Sequence, residues 1–311
     1  MGGDAADKVR AAAETPGYHG NRAAQALRQG QLPLVGFVPG DIQNPFFARI
    51  AHDIDCDLRR SRHSLIIAVS EEDLGPECEL IDSPLALNVR GLIVAPASDA
   101  DNRHLSRAVA EDMPLVLIDR DRDLDLPCDS ITVDNTGGAR EAVAYLIAQG
   151  HRRIAVIHEG PAIVTARQRL AGYHQALAEA GLTPDPALVA VSPSTVEHAI
   201  DATIRLFSQS DRPTALFTVD SQMTKGALLA LRSMGLAIPQ DVSLTGFDGF
   251  DLATFTNPKI AVVYQQINQI YPLAVRMLLD RVRGLDAPPR RQRFPTKLIL
   301  RGSVARPAQK S

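Results

Sequence analysis

From residue 34 onward, short aliphatic and β-branched runs alternate with longer stretches whose apolar residues recur at helical spacing. LVGFV (34–38), SLIIAV (64–69), GLIVA (91–95), LVLID (115–119), SITV (130–133), RIAVI (153–157), TALFT (214–218), VSLTGF (242–247) and IAVVY (260–264) read as strands. They are apolar without alternation, as strands covered on both faces are. Between them lie helical patterns such as GAREAVAYLIAQGH (138–151) and SQMTKGALLALRSMG (221–235). Gly150, Gly181 and Gly235 each follow an amphipathic run, where a left-handed helix cap favours glycine. This β-α-β rhythm predicts a doubly wound α/β fold with parallel sheets.

The nine strand candidates serve either one large sheet or two smaller ones. Polar residues follow several of them: VPGDIQN, IDRD, FTVDSQ, GFDGFD and VVYQQ. In open α/β sheets ligands sit at the carboxyl ends of strands. These polar ends come from both halves of the chain, so two lobes facing each other across a cleft would gather them.

Composition narrows the function. The 311 residues suit two lobes. No apolar run approaches the ~18–20 residues that span a bilayer. The start, MGGDAADKVRAAAE, is polar and acidic rather than basic then apolar, which predicts a cytoplasmic protein. Cys56, Cys78 and Cys128 are far apart and form no CxxC pair, so reduced thiols are expected rather than zinc or disulfides. The net charge of −3 excludes a chain that binds nucleic acid by bulk charge, and residues 1–30 carry only +1. GxSxG, GxGxxG, GK[ST] and HExxH are all missing. His158-Glu159 has no second histidine at helical spacing, so no metal is expected there. Binding without catalysis or cofactor is the expectation.

Several segments in fixed order then carry a resemblance. GHRRIAVI, TARQRLAGYHQALAEAGL and DRPTALFTVDSQMTKGALLALRSMGLAIPQDVSLTGFD, together with DIQNPFFARI and LVLIDRD, resemble the lactose-repressor (LacI/GalR) family of transcriptional regulators over residues 8–303. The resemblance implies an effector domain like the periplasmic sugar-binding proteins: two Rossmann-like lobes, three crossovers, a ligand in the cleft. It implies an N-terminal lobe of 32–133 and 266–292, a C-terminal lobe of 134–265 and 293–303, and a flexible tail at 304–311. It also implies a cytoplasmic homodimer in which a small effector controls operator binding. The competing expectation is a solute-binding protein of a sugar transporter with no DNA-binding activity.

By the same resemblance, effector contacts fall on Asn44, Phe46, Phe47, Asp119, Arg120, Arg169, Asp220, Asp248 and Gln265. The chemistry suits a sugar: carboxylates accept from vicinal hydroxyls and an arginine fork donates to two oxygens. Structural readings stand beside these. Asn44-Pro45 fits a helix start. Phe46 and Phe47 fit a core, although neighbours on a helix diverge, so at least one is expected outside it. Asp119-Arg120 opens a self-neutralising run with Asp121, Arg122 and Asp123, and Asp248 is placed to cap a helix. Where the family has Asn-Asp, this chain has Asp220-Ser221. Ionised Asp only accepts, so three carboxylates face two arginines. That balance points to a neutral monosaccharide or sugar alcohol, or to a donor-rich or cationic ligand, and away from phosphosugars. GHRR (150–153) reads as a helix-to-strand turn.

Residues 1–31 read as the remainder of a helix-turn-helix domain plus a hinge helix, NRAAQALR (21–28). The first two helices of the family's DNA-binding domain are missing, and truncation is expected rather than loss. Eight residues do not make a stable helix alone in water. By the resemblance, Asn21, Arg22, Ala24, Leu27 and Arg28 form a hinge that enters the minor groove, with Leu27 wedged into a base step.

Overall fold

A computed structural model describes residues 33–83, 88–98, 101–120, 126–249 and 252–308. The hinge residues Asn21, Arg22, Ala24, Leu27 and Arg28 lie outside the described residues, as do Asp121, Arg122 and Asp123.

Strands β1 (Leu34–Val38), β2 (Ser64–Ile67), β3 (Leu92–Val94), β4 (Leu115–Ile118) and β5 (Asp129–Val133) belong to a first sheet. Strands β6 (Ile154–His158), β7 (Val189–Val191), β8 (Ala215–Thr218), β9 (Ser243–Phe247) and β10 (Ala261–Tyr264) belong to a second. β11 (Arg291–Phe294) returns to the first sheet and β12 (Lys297–Ile299) to the second. The orders are β11-β5-β4-β3-β1-β2 and β12-β10-β9-β8-β6-β7. The two lobes therefore repeat one topology, in which β1 corresponds to β6, β3 to β8 and β4 to β9. Among the described strands only β12 runs antiparallel, against β10.

Helices α1 (Pro45–Arg60), α2 (Leu74–Ile81) and α3 (Arg103–Ala110) connect the first sheet. Helices α4 (Asn135–Ala148), α5 (Val164–Glu179), α6 (Val196–Phe207), α7 (Ser221–Ser233) and α8 (Leu252–Phe255) serve the second, and α9 (Ile267–Val282) packs back on the first. Val35, Phe37, Ile93, Val116 and Ile118 meet α1 and α9 on one face, while Val38, Leu92, Val94, Leu115 and Leu117 meet Leu105 on the other. Two covered faces are why these strands read as unbroken apolar runs. Gly150, Gly181 and Gly235 have φ of 101°, 66° and 69°, the left-handed caps expected of them. At Gly172 a Cβ would lie 2.3 Å from the Thr136 carbonyl oxygen, so glycine lets α5 press onto α4.

The nine strand candidates are all present, with ends that differ by at most two residues. β7, β11 and β12 escape the apolar pattern because they are short edge strands, and β11 (RQRF) is largely exposed. The chain passes between lobes three times: after β5, after β10 and after β11. The last passage lies at Pro295-Thr296, two residues beyond the expected 292/293 boundary, because the ladder to β5 continues through Phe294↔Val133. GHRR forms the turn from α4 to β6, with His151 buried and bonded to Thr214 Oγ1 at 2.8 Å and Ser243 Oγ at 2.9 Å.

Candidate functional site

The carboxyl ends of both sheets border one cavity of about 690 Å³ between the lobes. Asp41–Asn44 after β1, Glu71 and Glu72 after β2, and Asp119 and Arg120 after β4 line one side. Glu159 after β6, Ser194 after β7, Asp220 after β8, Asp248 after β9, and Arg169 on α5 line the other. The size suits a small organic ligand.

Asn44 plays two parts. It caps α1, its Oδ1 accepting from Phe46 N–H at 3.0 Å, and the same oxygen accepts from Ser221 Oγ of the other lobe at 2.9 Å. Both the helix-start reading and the cavity placement hold. Phe46 and Phe47 both line the cavity and both are buried in the first-lobe core. This corrects the expectation that one of them leaves the core. The first turn of α1 lies under α9, so Phe46 stacks edge-on against Tyr271 at 6.3 Å and against Phe47 at 5.1 Å.

Asp119 and Asp248 occupy corresponding positions, each following the equivalent strand (β4 and β9), and each has φ of 64°. Glu71 and Glu72 are also left-handed, at 55° and 57°. Four non-glycine residues in this sparsely populated region border one cavity, and such strain concentrates at functional sites.

The arginines are already engaged. Arg120 is buried and forks onto Glu72, with Nη2 to Oε1 at 2.8 Å and Nη1 to Oε2, and it also donates to the Pro96 carbonyl at 3.1 Å. The self-neutralising surface run is thus not where Arg120 points. Arg169 is buried over the Phe247 ring at 3.8 Å, its Nε donating to Asn135 Oδ1 at 2.9 Å. Its Nη1 donates to the Val219 carbonyl at 2.7 Å and to Asp248 Oδ2 at 3.3 Å.

The carboxylates differ in what they hold. Asp220 caps α7, accepting from Met223 N–H at 2.7 Å and from Ser194 Oγ at 2.8 Å. Asp119 is 7% exposed, its Oδ2 lies 3.4 Å from Arg120 Nε, and its Oδ1 has no hydrogen-bond partner among the described residues. Burial pushes Asp119, Asp220 and Asp248 above the usual carboxylate range, against the nearby arginines. Glu159 is raised to about 8, first by burial and then by the charges of Asp220 and Glu72.

Eight of the nine expected effector contacts border the cavity. Gln265 does not: it is buried behind Asp248, donating Nε2 to Asp248 Oδ1 at 2.5 Å. It therefore orients a wall residue instead of forming the wall. The residues that sequence reasoning missed are Glu72, Glu159 and the supporting Asn135. The strand-end rule, applied to β2 and β6 as it was to the others, would have found both glutamates. Among the described residues no three potential ligands cluster to hold a metal ion, and no helix is long and apolar enough to cross a membrane.

Comparison with known proteins agrees with this geometry. A family model described as a periplasmic binding protein-like domain matches residues 143–304. The HTH-type transcriptional repressor PurR of Photobacterium profundum is 27% identical over 298 residues, covering 96% of this chain and 89% of that repressor. The crystal structure of a candidate ribose operon repressor from Burkholderia thailandensis superposes with a TM-score of 0.76 at 32% identity, covering 86% of this chain and 98% of that one. The transcriptional regulator CelR in complex with cellobiose gives 0.77 at 27%, covering 90% and 89%. The two repeated lobes, the cavity at their strand ends and these similarities together place the chain in the LacI family of transcriptional regulators, with a periplasmic-binding-protein-like ligand-binding domain.

Proposed function

We propose that this regulator takes a small polyhydroxylated effector into the cleft, a monosaccharide or sugar alcohol without an anionic group, and that its binding controls operator affinity. The observation that carries the reading is the pair Asp119 and Asp248, set at equivalent strand ends on opposite lobes around one cavity. Two such carboxylates accept from hydroxyls on opposite edges of a ring, while Arg169 donates and Phe46 and Phe47 cover its C–H face. A ligand touching both lobes favours one arrangement of them, which is what coupling to a second site requires. Operator contact is assigned to Asn21, Arg22, Ala24, Leu27 and Arg28. The regulator reading is favoured over a transporter's solute-binding protein because the similar proteins are repressors matched over most of their length.

A homodimer is part of this proposal. Phe255 is 82% exposed and Leu229 47%, and both border an apolar hollow with Leu228, Leu236 and Ile238. Sedimentation equilibrium should give twice the chain mass.

Isothermal titration of the full chain against neutral sugars, polyols and phosphosugars tests the effector. Binding by a neutral or cationic member, together with a change in operator affinity by fluorescence anisotropy, supports the reading. Tight binding by anionic ligands alone overturns it.

A further inference from the structure

Glu159 and Asp220 stand side by side. β6 and β8 are parallel neighbours with Ile157 opposite Thr218, and each carboxylate lies two residues beyond that pair. Neighbouring strands are roughly 4.8 Å apart. Both residues border the cavity. Neither has an ion-pair partner among the described residues: Arg120 is forked onto Glu72, and Arg169 turns Nε and Nη1 to Asn135, Val219 and Asp248. Asp220 keeps one donor on each oxygen, whereas the Glu159 carboxylate receives no hydrogen bond from the described residues. Across the same cavity Asp119 Oδ1 is buried and has no hydrogen-bond partner among the described residues. Among the described residues, the lining holds Asp41, Glu71, Glu72, Asp119, Glu159, Asp220 and Asp248 against Arg120 and Arg169 as the only cationic side chains.

We propose that Glu159 and Asp220 form a subsite for a protonated amine, and that the effector is an amino sugar or amino polyol. The proposal rests on the polyhydroxylated-effector reading and narrows it. An ammonium group brings three donors and a charge, and it matches two adjacent acceptors. A hydroxyl supplies one donor and no charge to draw the proton from the pair. A metal ion is a poorer occupant, since among the described residues no third acidic, histidine or cysteine ligand joins the pair.

The proposal has a proton consequence. Glu159, at about 8, holds a proton near neutral pH in the empty cleft. Among the described residues, the charged groups that act on it most are Asp220, Glu72, Arg120 and Arg169. An arriving ammonium ion favours the carboxylate, so the proton leaves Glu159 for solvent while the amine keeps its own. No covalent bond changes.

The test is calorimetric titration of the full chain at pH 6.5 with matched pairs: glucosamine and glucose, galactosamine and galactose, mannosamine and mannose, 1-amino-1-deoxysorbitol and sorbitol. For at least one pair the amine should bind about tenfold tighter or more. Repeating that titration in buffers of different ionisation enthalpy should show release of close to one proton. In Glu159→Gln the preference within the pair should collapse and proton release should vanish, with a thermal midpoint at pH 6.5 no lower than the parent's. A neutral sugar that binds as tightly as its amine, or an amine preference that survives in Glu159→Gln, overturns the amine subsite and leaves the effector reading standing. Silence from both members of every pair overturns both.

Discussion

Asp119 and Asp248 occupy the same place in two copies of one topology, with the same backbone conformation, yet their surroundings differ. Asp248 is held by Arg169 and Gln265 before any ligand arrives. Asp119 shares Arg120 with Glu72 and keeps one buried oxygen without a hydrogen bond from the described residues. Of this pair, the second lobe's carboxylate is thus held in advance, while the first lobe's is an acceptor whose partner has still to come. An unsatisfied buried acceptor costs about 1–3 kcal/mol, and a ligand that supplies the missing donor recovers it on binding. The asymmetry says which carboxylate of the pair gains more from a ligand.

The largest effect should come from erasing the difference. Arg169→Met takes from Asp248 its arginine and leaves it Gln265 alone, which should cost about 3–5 kcal/mol in chemical denaturation and abolish effector binding by calorimetry. Next in size is the contrast between the two carboxylates themselves. Asp248→Asn should lose about 1–3 kcal/mol of stability, because it weakens an ion pair and a hydrogen bond already made. Asp119→Asn should leave stability unchanged or raised, since asparagine tolerates the left-handed backbone and the buried charge is gone. Effector affinity should nevertheless fall about tenfold or more. Equal stability losses in the two variants would dissolve the comparison.

A third effect follows from protonation. Glu159 rises from 4.5 to about 8 on folding. The folded chain then binds more protons than the unfolded one across that window, so this residue's contribution to stability is lost as pH rises through it. Glu159→Gln should flatten that loss, raising the thermal midpoint by a few degrees at pH 8.5 and little at pH 4.5. The smallest effect belongs to Ser221→Ala. It removes the hydrogen bond from Ser221 to Asn44 that joins the lobes, while the cap from Asn44 to Phe46 N–H remains. A loss of about 0.5–1.5 kcal/mol is expected, with a modest change in effector affinity.

Much of the fold was legible in the sequence because burial on two faces writes itself as unbroken apolar runs. The strands it hid, β7, β11 and β12, lie at sheet edges and bury too little to leave such a run. The site was legible in part. Polar groups after strands pointed to Asp119, Asp220 and Asp248, and the resemblance added Arg169. Glu72 and Glu159 escaped for different reasons: Glu72 stands five residues beyond the end of β2, and Glu159 was weighed only with His158 as a metal motif. Gln265 was misjudged for a related reason: adjacency to a strand end does not say whether a side chain reaches the cavity or the back of its neighbour.

Local pattern determined the element types, the glycine caps, the α/β class and the chemistry available at strand ends, because each depends on residues close in the chain. Tertiary structure alone decided how those groups divide their partners. Arg120 chose Glu72 across 48 residues and Arg169 chose Asp248 across 79. Charge satisfaction is a matter of distance in space, and with two arginines shared among several acids it left Asp119, Glu159 and Asp220 as the acceptors facing the cavity.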